Sequence, residues 1–296
     1  MSLEAVPTIG ALRESIEGLR RQGRSIGLVP TMGALHAGHA ALIGRARSDS
    51  EVVVVSIFVN PLQFGAGEDF ERYPRNLRED LLFLELRGVD LVFAPSREEI
   101  YPESPHTGVE VGIEAGKLCG ELRPGHFRGV ATVVLKLFGI VQPDRAYFGE
   151  KDFQQLAVIR RMARDFNLPV DIVAVPTERE SDGLAISSRN VYLDPEERRA
   201  AAVLYRALRV MRQRIADGDR TVSVVRKAGL KVLELEPLTE VEYLEIVDPD
   251  DLQPVKKKIS GPVRAVAAVR IGETRLIDNL ACEPGRKFRR KRSGQD

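Results

Sequence analysis

EVVVVSIFV, residues 51 to 59, is a continuous β-branched and apolar run with no alternation of polar residues. A strand of that composition is covered on both faces, as in a parallel sheet flanked by helices. The segments around it follow the same plan. Upstream, SIGLVP (25 to 30) reads as a strand and GHAALIGRARSD (38 to 49) has helical spacing. Downstream, NPLQFGAGEDFERYP (60 to 74) is a long polar connection with Gly and Pro. It leaves the carboxyl end of a central strand, where open α/β sheets place their ligand sites.

The alternation continues through a helix at NLREDLLFLELRG (76 to 88) and a strand at VDLVFAP (89 to 95). TGVEVGI (107 to 113) alternates like an edge strand, and GHFRGVATVVLKLFGIVQP (125 to 143) is an apolar helix closed by Pro143. DRAYFGE (144 to 150) returns to strand, KDFQQLAVIRRMARDFN (151 to 167) is an amphipathic helix, and PVDIVAVP (169 to 176) is another buried strand. Repeated βα units of this kind predict a Rossmann-like, doubly wound parallel sheet.

Near residue 177 the pattern changes. Asp194, followed by Pro195, Glu196 and Glu197, opens a helix running toward residue 218, and a second covers about 222 to 235. VEYLEIVD, RAVAAVRIG and TRLIDNLAC then read as three strands, the last two joined by a tight turn at Gly272 and Glu273. Helices followed by strands predict a second, smaller α+β domain. The expected organisation is residues 1 to 177, then 178 to 284 as a lid-forming domain, then a basic disordered tail from 285 to 296.

The chain has 44 Lys plus Arg against 43 Asp plus Glu, so no global field draws it to nucleic acid or an anionic membrane. Any anionic substrate has to be captured locally. No apolar run reaches the roughly 18 to 20 residues that span a bilayer, and the first residues lack the order of a signal peptide. A cytoplasmic location is the expectation. Cys119 and Cys282 have neither metal spacing nor the density of a disulfide scaffold and read as structural thiols, a reactive role for Cys119 remaining open.

Three segments carry chemistry. PTMGALHAGH (30 to 39) lies between a strand and a helix and contains His36-Ala37-Gly38-His39. At a helix entrance, backbone N–H groups and the dipole favour phosphate, and two imidazoles three residues apart reach one polyphosphate. Gly38 would let a nucleotide approach the backbone. Taken alone, these are equally well two unrelated histidines at a helix start, though they are half of the chain's four. GEKD (149 to 152) is a second strand-to-helix junction, where Lys151 projects a charge and Asp152 caps a helix or meets a ribose. An isolated lysine there is usually a solvated helix residue. DGLAISSRN (182 to 190) offers Ser187, Ser188 and Arg189, a combination suited to β- and γ-phosphates, although such a segment taken singly is more often a polar interdomain linker with an N-cap.

These segments, in this order, with FVNPLQF (58 to 64), YPRN (73 to 76), RPGHFRGVATVV (123 to 134) and FGEKDFQQL (148 to 156), closely resemble the pantothenate synthetases. The resemblance runs from about residue 25 to about 195 and more weakly to about 283. It implies a nucleotidylyltransferase-type fold with a His-x-Gly-His signature, and a ligase that uses ATP and Mg²⁺ to join pantoate to β-alanine. It further implies that Met32, Gly33, Ala34, Leu35, His36, Ala37, Gly38 and His39 line the ATP site, with His36 as proton donor and His39 on phosphate. Gly149, Glu150, Lys151 and Asp152 would also grip ATP, together with Ile186, Ser187, Ser188 and Arg189, with Glu178 at adenine. His36, His39, Lys151, Ser187 and Arg189 would serve catalysis. Gln63 and Gln155 would hold pantoate from opposite sides, Gln63 also bordering β-alanine. Asn60, Tyr73, Asp80 and Arg123 match more loosely, Asn60 and Arg123 as substrate contacts and Asp80 as an aid to Mg²⁺ carried mainly by nucleotide and water.

Two positions depart from the family pattern. Glu178 stands where a small apolar residue is usual, and Ile186 where Met or Leu is commoner. A homodimer is the family's expected assembly. The competing reading is a nucleotidylyltransferase of the same fold that leaves the nucleotide on its product. Gln63, Gln155 and the lack of a second nucleotide-binding signature favour the ligase.

Overall fold

A computed structural model of the protein describes residues 3–103, 106–112 and 116–285. The chain divides into two compact units, Met1–Ser181 with Ala185–Val191, and Asp182–Leu184 with Tyr192–Asp296.

The first unit is built on a six-stranded sheet. Its strands are β1 (Ala5–Val6), β2 (Ile26–Thr31), β3 (Val52–Ile57), β4 (Leu91–Phe93), β5 (Arg145–Gly149) and β6 (Asp171–Val175). Their order is β1-β4-β3-β2-β5-β6, every pairing parallel. The valine run is β3, in which Val52, Val53, Val54, Val55 and Ser56 are all buried. Helices α1 (Ile9–Arg21), α2 (Ala37–Asp49), α3 (Leu77–Glu85), α4 (Arg97–Ile100), α5 (Cys119–Leu122), α6 (His126–Val141) and α7 (Phe153–Asp165) connect or cover the strands. Val29, Val53, Val55 and Val92 share one core with Leu42, Ile43 and Ala46 of α2 and Leu84 of α3. On the other side α6 packs on β2 and α7 on β5. The doubly wound sheet is therefore as the sequence implies.

The strand order fixes where a ligand can sit. From β2 the chain winds outward through β3 to β4, then returns to lay β5 on the other flank of β2. That reversal is a topological switch point, and the carboxyl ends beside it form a crevice. The segments leaving those ends are 32 to 36 after β2, 60 to 76 after β3 and 150 to 152 after β5.

The second unit holds α8 (Pro195–Ala201), α9 (Val203–Ala216), α10 (Val222–Leu233) and an antiparallel sheet in the order β7 (Thr239–Val247), β8 (Val263–Ile271), β9 (Thr274–Cys282). Asp194 caps α8 by accepting from the N–H groups of Glu196 and Glu197, and Glu197 returns a bond to the Asp194 N–H. Its core joins Leu204, Leu208 and Met211 of α9 to Leu244, Ala267 and Val269 of the sheet.

Several expectations are corrected. A short strand and a helix, β1 and α1, precede the first expected strand. Residues 107 to 112 form no strand; instead the Val109 N–H donates to Thr132 Oγ1 of α6. The expected 194 to 218 helix breaks at Ala202 into α8 and α9. The boundary expected after residue 177 also moves. Residues 185 to 191 stay with the first unit, because Ile186 N–H donates to the Glu178 carbonyl and Arg179 bridges Ala185. The basic tail beyond Gly285 lies outside the described residues. Cys119 and Cys282 are both buried thiols.

Candidate active site at the sheet switch point

The turn that follows β2 is an unusual piece of backbone. Gly33 has φ +81° and Ala34, which is not glycine, has φ 50°. A left-handed alanine costs energy that its surroundings must offset. Asp80 of α3 supplies the hold: its carboxylate accepts from Leu35 N–H at 2.8 Å and Ala34 N–H at 3.1 Å. Burial raises the Asp80 pKa against the lowering effect of those two donors. The carboxylate is buried and committed to the turn, so the Mg²⁺ role expected for it does not fit. Among the described residues no group of three His, Cys, Asp or Glu could hold a metal.

His36 and His39 follow as the N-cap and the third residue of α2. His36 Nδ1 accepts from Gly38 N–H at 3.1 Å, and His39 Nδ1 accepts from His36 N–H at 3.2 Å. Together they form a capping box with two imidazoles in place of the usual hydroxyl and carboxylate. Because each Nδ1 accepts, each ring carries its proton on Nε2. Burial first, and then Lys151 for His36 and His36 itself for His39, lower their pKa to about 4 and about 3. Both are thus neutral Nε2–H donors at neutral pH, and neither is an imidazolium. Gly38 has a local reason: a Cβ there would lie 2.9 Å from His36 Cε1.

Opposite them, after β5, stand Gly149, Glu150, Lys151 and Asp152. Lys151 Nζ lies 3.7 Å from Asp152 Oδ2. Burial pushes the Asp152 carboxyl up, but Lys151, then Arg189, pull it below the ordinary range. Of the adjacent glutamines of α7, Gln155 lines the cavity. Gln154 is buried instead, bonded to Cys119 N–H and the Lys117 carbonyl.

The 60 to 76 segment supplies the floor. Asn60 Nδ2 donates to Gln63 Oε1 at 3.0 Å and to the Gly129 carbonyl at 3.1 Å, while its Oδ1 accepts from Leu62 N–H and from Tyr101 Oη. Every donor and acceptor of that buried amide is used. Asn60 therefore holds Gln63 in place and has no hydrogen-bond capacity left for substrate, against the contact expected for it. Gln63 Nε2 in turn reaches Met32 Sδ at 3.1 Å.

Arg123 is largely committed: Nε and Nη2 grip Glu68 at 2.6 and 2.5 Å, Nη1 meets His126 Nε2, and Nη2 also reaches the Gln63 carbonyl, which uses four of its five N–H donors. A substrate carboxylate would have to displace Glu68 to pair with it bidentately. Arg189 makes the same kind of pair with Asp69, both bonds 2.9 Å, and its guanidinium lies over the Tyr73 ring. Ser188 Oγ donates to the Ala34 carbonyl, and Ser187 Oγ accepts from Arg189 N–H. The Ser187 to Arg189 loop is thus docked on the turn that follows β2. Glu178 and Ile186, the two departures from the family pattern, are bonded to one another through backbone.

These groups line one cavity of about 240 Å³. Met32, Gly38, Gly149, Glu178, Ile186, Ser188 and Asp152 border it with both histidines, Lys151, Ser187, Arg189, Gln63 and Gln155, except that Gly149 to Asp152 enters without Glu150. Gly33, Ala34, Leu35 and Ala37 do not line it; they shape the turn behind. Missed from sequence is a wall made by Val130, Val133, Val134 and Leu137 of α6, with Phe58 and Phe148. Missed too is His126. The wall residues recur at helical i, i+3, i+4, i+7 spacing, but α6 is apolar nearly all round, which hides the stripe.

A crevice at the switch point, neutral imidazole donors on a helix entrance, a lysine, a serine-rich arginine loop and two amides beside an apolar wall define an α/β enzyme that works on a nucleotide and a small partly apolar acid. A sequence model of the Pantoate-beta-alanine ligase family matches residues 4–281. The pantothenate synthetase of Moorella thermoacetica is 53% identical over 281 residues, covering 95% of this chain and 99% of the relative. That of Heliobacterium modesticaldum is 57% identical over 263 residues, covering 89% and 93%. The crystal structure of pantothenate synthetase from Thermus thermophilus superposes with a TM-score of 0.88 at 52% identity, covering 94% and 99%. A pantoate-β-alanine ligase from Francisella tularensis, solved in complex with β-γ ATP and β-alanine, gives 0.77 at 35% identity, covering 94% and 97%. The chain belongs to the pantoate-β-alanine ligase family.

Proposed function

We propose that this chain condenses pantoate with β-alanine using ATP, through a pantoyl-adenylate, to give pantothenate, AMP and diphosphate. The observation that carries the reading is a single cavity in which phosphate donors and the paired amides Gln63 and Gln155 lie together, within a chain of this family. The Francisella complex with β-γ ATP and β-alanine supports the same ligands here.

In the first step a pantoate carboxylate oxygen attacks the α-phosphorus and the bond to diphosphate breaks. The protein's task is orientation and charge stabilisation, and orientation alone supplies roughly 7 to 11 kcal/mol. Gln63 and Gln155 hold hydroxyls and carboxylate, because an amide donates and accepts at one site. The α6 wall takes the apolar part of the acid. His36 and His39 offer Nε2–H groups to phosphate oxygen, and Lys151 follows the charge growing on the leaving diphosphate. In this role His36 donates a hydrogen bond from a neutral ring. In the second step the β-alanine amine attacks the acyl carbonyl, AMP leaves and the surplus proton passes to solvent. The mixed anhydride needs shelter from water, for which the Ser187 to Arg189 loop is the lid. Mg²⁺ would enter with the nucleotide, carried mainly by phosphate and water. A cytoplasmic homodimer completes the proposal; light scattering on purified protein tests the assembly.

Omitting each component in turn from ATP, Mg²⁺, pantoate and β-alanine tests the reaction. AMP and pantothenate are expected only with all substrates, and about one equivalent of diphosphate without β-alanine. A nucleotide retained on the final product refutes the ligase; diphosphate only with all three substrates refutes the separate adenylation step.

A further inference from the structure

His126 opens α6 and is absent from every role derived above. Its Nδ1 lies 2.8 Å from the Gln63 carbonyl oxygen, and its Nε2 lies 3.1 Å from Arg123 Nη1. A carbonyl oxygen only accepts, so Nδ1 carries the proton. A guanidinium only donates, so Nε2 presents its lone pair. Both partners demand the same tautomer, and a second proton on the ring would set N–H against N–H.

We propose that His126 is a positioning residue for the reaction: locked as its neutral Nδ1–H tautomer, it pins the Gln63 peptide to the Arg123 guanidinium and thereby sets where the Gln63 amide meets pantoate. The role rests on the reading of Gln63 as a pantoate contact. Gln63 is a short 3-10 turn residue, and turns of that length are poorly fixed by their own hydrogen bonds. Its side chain is held by Asn60 and Met32; in the peptide that follows it the Phe64 N–H reaches the Pro61 carbonyl at 3.3 Å, while the Gln63 carbonyl is held by His126 at 2.8 Å and, more weakly at 3.3 Å, by Arg123. Arg123 cannot turn away, because Glu68 occupies its other edge. The charge state agrees. Burial, then the Arg123 charge, lower the His126 pKa to about 4 against the opposing Gln63 carbonyl, Glu68 and Asp152.

Three variants separate the two ends of the ring. His126→Asn sets an amide N–H near the Nδ1 position and keeps the bond to Gln63. His126→Gln reaches the Nε2 position and keeps the acceptor for Arg123. His126→Phe fills the space with neither. A hydrogen bond of ordinary net strength lost at this point changes an affinity by about 3- to 10-fold. The KM for pantoate should therefore rise by about 10-fold in His126→Phe and His126→Gln, and His126→Asn should recover most of that loss. The KM for ATP should stay within about threefold throughout, since no nucleotide contact is displaced. Equal rises in both KM values, or better recovery by Gln than by Asn, overturns the proposal. Long-range proton–nitrogen correlation spectra of the wild-type imidazoles give a second reading that needs no substrate and no variant. His126 should be the neutral Nδ1–H form at pH 7, whereas His36 and His39 should be Nε2–H; a charged or Nε2–H His126 refutes the network. Absence of pantothenate synthesis by wild type would refute the functional reading and leave that tautomer result standing.

Discussion

Gly129→Ala tests how closely the α6 helix and the Gln63 turn must approach. A Cβ built on Gly129 would lie 2.1 Å from the Leu62 carbonyl oxygen, 2.4 Å from its carbon and 2.7 Å from the Gln63 nitrogen. These are backbone atoms, and no rotamer change removes them. Ordinary contact begins near 3.4 Å, so the Leu62–Gln63 peptide has to retreat by roughly 1 Å, an overpacking cost of about 1–3 kcal/mol. The displaced peptide belongs to Gln63, the residue proposed to hold pantoate, and the Asn60 bond to the Gly129 carbonyl is disturbed with it. A misplacement of about 1 Å near reacting groups costs about 10²-fold. Steady-state pantothenate formation with pantoate varied should therefore show kcat/KM lower by about 10²-fold, with a lowered melting temperature. Gly139→Ala, in the same helix with nothing within 4 Å of the added Cβ, is the internal control. It should keep full activity and gain about 0.5–1 kcal/mol from helix propensity. If Gly129→Ala keeps wild-type kcat/KM for pantoate, the approach of α6 does not position Gln63.

The remaining predictions concern the turn, the lysine, the lid and acid. Asp80→Ala leaves two partly buried N–H groups without their partner, at up to about 1–3 kcal/mol each; ATP affinity and stability should fall while the midpoint of a Mg²⁺ titration stays fixed, and a shifted midpoint would restore the metal role. Lys151→Ala should cut adenylation by about 10²- to 10³-fold yet spare aminolysis of preformed pantoyl-adenylate, and equal loss of both steps would refute a role in diphosphate departure. Asp69→Asn should lower amide-exchange protection across residues 186 to 190, because the bidentate Arg189 anchor is lost; unchanged protection would show that the other bonds, Ser188 to the Ala34 carbonyl among them, suffice to dock the loop. The depressed pKa values of His36, His39 and His126 mean that the unfolded chain binds protons below its ordinary 6.5 while the folded one does not until about 4, 3 and 4. Stability should thus fall as pH drops from 6.5 toward 4, and His36→Asn, which keeps an N-cap, should flatten that slope in urea titrations.

What was legible in the sequence follows a physical division. Periodicity and capping are local, so β3 was readable from its valines and α8 from Asp194 with Glu197. The same logic would have found α1, where Thr8 caps and Leu12 and Ile16 are the buried stripe. Alternation at 107 to 112 misled because it reports a buried face and says nothing of a partner strand; Val109 is buried against α6 instead. The break at Ala202 has no local sign, lying inside an alanine run. At the site, residue types were legible and their occupancy was not. Asn60 and Arg123 are suited to substrate, but all of the capacity of Asn60 and the carboxylate-gripping edge of Arg123 are taken by Tyr101, Gly129 and Glu68 among others, partners that only the assembled fold brings within reach.

The charge balance of the cavity shows why the 60 to 76 segment is more than a loop. Anion sites gain affinity by gathering cations, and gathering them without anions destabilises the free protein. Here Glu68 pairs with Arg123, Asp69 with Arg189 and Asp152 with Lys151, while all three histidines of the site are neutral. Two of those carboxylates are consecutive residues of the segment that also supplies Asn60, Gln63 and Tyr73. It leaves β3, the strand beside the switch point, which is why one connection supplies Gln63 and also reaches Arg189. Donors are therefore aimed before any substrate arrives, and little of the site's capture rests on net charge. That is consistent with a chain whose formal charge is only +1 and whose task is to bring two anions together.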